Sequence, residues 1–455
     1  MFTSTHLTAQ TDNQTDHSRN PNYEEDIVYV TKHNKWVLNS IGIWPAMVEG
    51  IGKFLPKIAI GLSNLILFFT LVQCVLHIVL EQKDPLLRLK ILGLTCFSFI
   101  SLMKYWALTL RKPKIEYCIE QLYADWKQVS CNKDRKLMLK YGKIGRKLTV
   151  YSAVFMYSGG IIYHTVMQYA IGSYVDEFNH TIKLLVYPTY SGLYDVQKSP
   201  VYELVYVLQC MCGYVFDTVT VGACGLAALF ATHTCGQIDV IMSRLDDLID
   251  GKFSKENSNP SCYCRFSAMV ETVLQEVCFL EFIGTTFVMC FLWVLLYLFL
   301  FQQFIIFIYF FQDWQQNNKI GLTTYSLLLI SLTFNMFLLC YIGDLLIEKS
   351  TNVGISCCMI DWYRLPSKSV QDLVLIIAMS NNPAKISAGR IVDLSLSTFG
   401  SVIFYKYFNY LKLISAIYLD KKKTTYKFQS ILFTSYLPTY LDITIWYKHI
   451  RYRLS

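Results

Sequence analysis

"DLSLSTFGSVIFYKYFNYLKLI" (Asp393–Ile414) is long and apolar enough to cross a bilayer as a helix, yet it carries Ser395, Ser397, Thr398, Asn409, Lys406 and Lys412. In hydrocarbon each unsatisfied polar group costs several kcal/mol. A helix of this composition therefore cannot face lipid all round. One side must meet water or other protein, which places it inside an assembly of membrane helices.

The rest of the chain agrees. Of 455 residues, 53% are hydrophobic, 15% aromatic and only 16% charged, whereas soluble domains run about 25% charged. The apolar residues fall in blocks of 20 or more, enough to span roughly 30 Å of hydrocarbon. Seven such blocks are expected as membrane helices: Ile58–Leu80, Ile91–Leu110, Leu148–Tyr174, Val201–Ala231, Val277–Phe311, Ile320–Ile342 and Ile391–Ile417. The fold class is thus all-α, a polytopic membrane protein with seven transmembrane helices.

Charge gives the orientation. Residues 1–35 are polar and lack the apolar core of a secretory signal, so the N-terminus is expected in the cytosol, with the first block as targeting signal. Alternate connections then carry eleven Lys/Arg (Arg111–Lys147), four (233–276) and five (347–390), against three, two and one on the other face. Basic loops stay inside. That topology is inverted relative to G-protein-coupled receptors. Asn179-His180-Thr181, a glycosylation sequon, falls on the expected outer face at Asn179. The +8 charge is spread over loops and reads as topology, with no nucleic-acid site.

The fifteen cysteines do not make a disulfide scaffold. Cys74, Cys96, Cys210, Cys212, Cys224, Cys290 and Cys340 lie inside apolar blocks, where a free Cys is a small hydrophobe. Cys262, Cys264, Cys357 and Cys358 lack the CxxC spacing and paired His of a zinc site; no metal and no cofactor is expected. No Walker loop, HExxH or GxSxG is present, so no enzyme is expected. "MLKYGKIGRK" and "HTCGQIDVIMSRLDDLIDG" have helical spacing, with Ile238, Ile241, Leu245 and Leu248 on one face. They are read either as cytosolic extensions of membrane helices or as solvated loop helices.

From the sixth block onward the chain resembles the insect odorant receptor family. The resemblance rests on Gly343-Asp344 after the sixth block, then Ser350, Trp362, Pro383 and a closing "LS…TF…YF" helix. "LNSIGIWP" (Leu38–Pro45) is similar to the segment before the family's first helix, particularly in ants, bees and wasps. It covers about Tyr23 to Ile417.

The resemblance implies an odorant-gated, non-selective cation channel in the plasma membrane of olfactory sensory neurons. It would be a hetero-tetramer with a shared odorant co-receptor subunit, opened by a small volatile ligand in the lipid bilayer. The implied organisation is a cytosolic segment 1–53, helices one to six over 54–347, a cytosolic anchor 348–390, and a pore helix 391–417. The pore stripe would be Phe399, Ile403, Tyr407, Tyr410 and Ile414, one face at i, i+3, i+4 and i+7 spacing. Tyr410 matches the outer hydrophobic constriction, which can gate by dewetting. Helix–helix packing by the same stripe is the alternative. Lys406 departs from the family pattern. Trp362 and Tyr363 are expected at the subunit interface, with a membrane-interface pair as the alternative.

The ligand site follows from orientation. The outer halves of helices two, three, four and six offer Leu94, Phe97 and Ser98; Tyr157, Gly160, Ile161 and His164; Tyr206, Gln209, Cys210 and Gly213; and Tyr325 and Leu329. Aromatics and aliphatics with a few polar groups suit a volatile apolar ligand. Two stretches fit the family badly, the long fifth block and the tail 418–455, which carries seven Lys/Arg. Both are read as candidates for retained intron sequence, which the messenger RNA would decide. Competing classes are a gustatory-type receptor channel, against which the missing Gln after "FYKYFNYLKL" counts, and a secondary transporter. The transporter would need intramembrane acids, for which Glu203 and Asp217 are the candidates.

Overall fold

The computed structural model describes residues 20–45, 54–249 apart from six short gaps, 269–292, and 316–404 apart from 365–366. In chain order these form α1 (Tyr23–Ser40), α2 (Phe54–Leu76, closed by a π-turn His77–Glu81), α3 (Pro85–Leu110) and α4 (Lys112–Gln128). Next come α5 (Asn132–Ile161, closed by a π-turn Ile162–Val166), the hairpin β1 (Ser173–Val175) and β2 (Thr181–Lys183), and α6 (Val201–Ile249). Then follow α7 (Met269–Leu292), α8 (Gln316–Cys358), a 3-10 turn Trp362–Arg364 and α9 (Ser367–Ser380). The two-residue strands β3 (Ser387–Ala388) and β4 (Val392–Asp393) complete the set. Two compact units divide at Leu396; 397–404 continue as helix in the second.

Among the described residues five helices are long and apolar enough to cross a membrane, on α2, α3, α6, α7 and α8. The third expected span lies on α5, and of the seventh residues 391–404 are described. Several expected limits move. Ser173 and Tyr174, placed at the end of the third block, pair with Lys183 and Ile182 as strand. Val392 and Asp393, placed at the start of the seventh, pair with Ala388 and Ser387, and helix starts only at residue 396. β-branched and aromatic residues at the ends of these blocks find a strand partner, and pairing outweighs hydropathy there. α7 is already helical at Met269, eight residues before the block, which puts Glu281 well inside the helix.

α6 is the central helix. Residues 218–236, "TVTVGACGLAALFATHTCG", are buried on every side, as expected of a helix apolar all round. Small residues let neighbours close in: Leu38 and Asn34 of α1 lie over Gly222 and Gly225, where an added Cβ would overlap them. α6 runs without a break into "HTCGQIDVIMSRLDDL", and α5 contains "MLKYGKIGRK". Both segments therefore extend bundle helices. Ile238 joins Val353, Cys357, Leu373 and Ile376 in an apolar cluster that holds α9 against α6 and α8, with Ile241 packed on it.

That end of the bundle is tied by charge. Arg135 grips Asp26 with two bonds of 2.7 and 2.8 Å, and Arg244 holds Asp134 at 2.9 Å. Tyr141 donates to Asp239 at 2.6 Å, which also pairs with Lys349 at 3.0 Å. Burial, then the bond to Asp239, pushes the Tyr141 phenol up.

"LNSIGI" proves to be a helix stop. Gly42 sits at φ 75°, the Ile43 N–H returns to the Leu38 carbonyl at 2.9 Å, and the Gly42 N–H to Asn39 at 3.1 Å. This is the Schellman pattern, which needs a residue free of Cβ at that turn. Ile41, Ile43 and Trp44 are then buried, with the Tyr105 hydroxyl donating to the Ile41 carbonyl.

Candidate functional site

Tyr157, Gly160 and His164 share one face of α5, and Tyr206, Gln209 and Gly213 share one face of α6. The structure brings these two faces together. The His164 ring lies on Gly213, where an added Cβ would overlap it, and the Asp217 carboxylate lies on Gly160 in the same way. Both glycines are close-approach positions.

His164 sits in the π-turn that follows α5, a feature frequent at functional sites. Its Nδ1–H donates to the Gly160 carbonyl at 2.8 Å, which leaves Nε2 to accept from the Tyr187 hydroxyl at 3.0 Å. Its own carbonyl accepts from the Tyr206 hydroxyl at 2.9 Å. The Thr218 hydroxyl donates to the Tyr214 carbonyl, so it accepts from Tyr157 at 3.0 Å. Tyr157 and Tyr214 stack with centroids 5.9 Å apart.

Tyr187, from the segment between β2 and α6, plugs this end of the bundle and is fully buried. Gln209 holds it: Oε1 accepts from the Tyr187 N–H at 3.0 Å and Nε2 donates to its carbonyl at 2.8 Å. The Tyr187 ring meets Phe216 edge-on at 6.4 Å, and Phe216 meets Phe97 edge-on at 5.3 Å. Phe97, Tyr157, His164, Tyr187, Tyr206 and Phe216 thus form an aromatic cluster joining α3, α5 and α6.

The other sequence-derived residues sort differently. Leu94 is half-buried on α3, and its carbonyl takes the hydroxyl of buried Ser98 at 2.9 Å. Gln209 has both ends of its amide engaged by Tyr187, so it positions the plug. Cys210 is half-buried beside Tyr206. Leu329 of α8 is buried; Tyr325 lies on α8, and its side chain is outside the described residues. Ile161 is 60% exposed: it follows Gly160 by one residue and so lies about 100° around the helix.

Phe399 and Ile403 lie one turn apart on the helix of the second unit. Tyr407, Tyr410, Ile414, Lys406, Asn179 and the tail 418–455 lie outside the described residues. Trp362 and Tyr363 form the 3-10 turn, 57% and 71% exposed, their rings edge-to-face. Sequence reading missed Tyr187, Phe216 and the placement of Asp217. The spacing Gln209–Gly213–Phe216 would have found the second; Tyr187 is in a segment with no periodicity.

A second polar cluster lies deeper. Lys104 of α3 donates to Glu281 of α7 at 2.8 Å and to Thr220 of α6 at 3.3 Å. Glu281 also accepts from Thr285 at 3.0 Å and from Asn335 of α8 at 3.2 Å, and Asn335 accepts from Ser152 of α5 at 2.9 Å. All six side chains are buried. Two open clefts of about 540 and 520 Å³ lie at the α9 end, lined in part by Lys133, Lys136, Lys140, Asp239 and Asp246. The first has mainly charged walls, the wrong chemistry for an apolar volatile, and the second mixes Asp239, Asp246 and Lys349 with Ile238, Met242 and Val353.

Gly213→Ala tests the geometry. The methyl would push the His164 ring off the Tyr187 hydroxyl, and overpacking of this kind costs about 1–3 kcal/mol. A lower unfolding temperature of the purified chain in detergent is expected; an unchanged one would mean the ring does not sit on Gly213.

The architecture is that of a helical membrane bundle, and its relatives give the family. The 7tm Odorant receptor model matches residues 87–407, most of the chain. The chain belongs to the 7tm odorant receptor family. It is 23% identical over 261 residues to Odorant receptor 10 of Aedes albopictus, a match spanning 50% of this chain and 63% of that relative, less than two thirds of its length. Its fold is similar to the insect olfactory receptor OR5 from Machilis hrabei (TM-score 0.63, 14% identity, 87% of this chain and 100% of that one). The same receptor in complex with eugenol matches at TM-score 0.65 and 13% identity, with the same coverage.

Proposed function

We propose that this chain is an odorant receptor subunit that binds a small volatile molecule among α3, α5, α6 and α8 and opens a non-selective cation pore. The observation that carries the reading is the aromatic cluster closed by Tyr187 in a chain of this family. A related fold has been solved with eugenol, a small aromatic volatile, which supports a ligand of that kind. Aromatic and aliphatic walls with few polar groups favour such ligands.

In this reading the N-terminus is cytosolic, the protein lies in the plasma membrane of olfactory sensory neurons, and Asn179 is outside and glycosylated. The chain works as a hetero-tetramer with an odorant co-receptor. Residues 348–390 form the subunit anchor, where exposed Trp362 and Tyr363 supply area at low entropy cost. Residues 391–417 form the pore helix, with Phe399, Ile403, Tyr407, Tyr410 and Ile414 toward the ion path.

Whole-cell current from cells expressing the chain with and without an insect odorant co-receptor, over a panel of volatiles, tests the proposal. An odour-evoked cation current is expected only with both subunits, reduced by Tyr410→Ala. Current from this chain alone would overturn the hetero-tetramer; silence of a surface-delivered pair across the panel would count against the channel.

A further inference from the structure

Asp217 is an acid that the bundle leaves unpaired. Lys104 is the buried cation within electrostatic reach of it, and Lys104 is held by Glu281 at 2.8 Å. The Asp217 carboxylate has no hydrogen-bond or ion-pair partner among the described residues. It is half-buried rather than closed off, and it rests on Gly160, the one residue type whose backbone admits it there. Tyr157 and His164 stand one turn to either side of Gly160, and Asp217 is also within electrostatic reach of Tyr157 and Tyr187.

A carboxyl group amid aromatic faces, which a bound cation would hold as the carboxylate, selects for one ligand chemistry. A carboxylate takes donors, most strongly charged ones, and aromatic faces attract a cation through their quadrupole. A neutral alcohol meets only the first of these, and an ester or hydrocarbon neither.

We propose that this receptor recognises small volatile amines, bound as ammonium ions with the nitrogen on the Asp217 carboxylate and the alkyl chain among Phe97, Tyr157 and Phe216. This rests on the reading of the α3/α5/α6 cluster as the ligand site. Gly160 is then a specificity position: a side chain there would displace the carboxylate.

The test uses the full-length chain in phospholipid nanodiscs, titrated with 3-methylbutylamine and with 3-methylbutanol, which match in shape and differ in charge. Charge-assisted bonding predicts that the amine binds about tenfold to a hundredfold tighter. In Asp217→Asn that ratio falls to about one, and in Asp217→Glu most of it returns. A wild-type ratio near one, with the alcohol or another neutral volatile still binding, overturns the amine assignment and leaves the site standing. No binding by either probe or by a panel of neutral volatiles overturns both. A preference that survives in Asp217→Asn moves recognition elsewhere and also overturns the proposal. Should Asp217→Asn fail to fold, the wild-type ratio and Asp217→Glu still decide.

Discussion

Lys104→Met is expected to destabilise the bundle by about 3–5 kcal/mol, and Lys104→Met with Glu281→Gln by much less. The single change leaves the Glu281 carboxylate at the centre of the bundle, still accepting from Thr285 and Asn335 but with no cation. Removing one partner of a buried pair costs that much because an uncompensated charge stays behind. The double change removes both charges. Its Gln keeps an oxygen for Asn335 and Thr285. The pair itself need not be a large net gain, since desolvating two ions offsets most of their attraction. What it provides is a fixed relation among five helices: α3, α5, α6, α7 and α8 each contribute a side chain. Unfolding temperatures of wild type, both singles and the double, measured in one detergent, give the coupling directly. Additive losses would show that the two residues do not interact.

That network also shows where a sequence stops being informative. Lys104 and Glu281 each looked like a charge near the edge of an apolar block, and 177 positions separate them. Nothing in either local pattern says that they meet. The orientation picked out Tyr157, Gly160 and His164, and Tyr206, Gln209 and Gly213, and helix spacing then gives each set one face. It could not show that Gln209 is engaged by Tyr187, whose segment has no period, nor that α7 is already helical at Met269 and so holds Glu281 well inside it. Hydropathy found the apolar blocks but ran past their ends at Tyr174 and Val392, where short hairpin pairing decides. The motif "LNSIGI" was legible as a family pattern only; its Schellman geometry at Gly42 explains the pattern in terms of backbone φ.

Gly343→Ala is expected to release the strap formed by residues 384–396. The reason again lies in what an added methyl would meet. At Gly343 it collides with the carbonyl of Leu394, a backbone atom held from both sides. The Leu394 N–H bonds the Ile386 carbonyl at 3.0 Å, and Ile386 and Leu394 are fully buried. The strap is further pinned by the Ala384 N–H on the Ser350 hydroxyl at 2.8 Å, the Gly389 N–H on the Gln275 carbonyl at 3.0 Å, and the Leu396 N–H on Asp344 at 3.4 Å. Gly343, Asp344 and Ser350, which stand together in the sequence signature, are thus three contacts of one clasp. Overpacking usually costs about 1–3 kcal/mol, and the upper end applies where a backbone must move. About 3 kcal/mol spent on local opening corresponds to roughly a hundredfold faster amide exchange at Gly389 and Leu394. Gly354→Ala is the internal control. There the methyl meets the Ser380 hydroxyl and Cβ at the end of α9, not the Leu394 carbonyl, so it overpacks α8 elsewhere and exchange in the strap should change little. Hydrogen exchange on the full chain separates the two variants. Equal effects would mean that general overpacking of α8, rather than the Leu394 carbonyl, governs the strap. A large effect confined to Gly343→Ala would establish the clasp and explain why glycine stands there, one residue before the aspartate that takes the last bond.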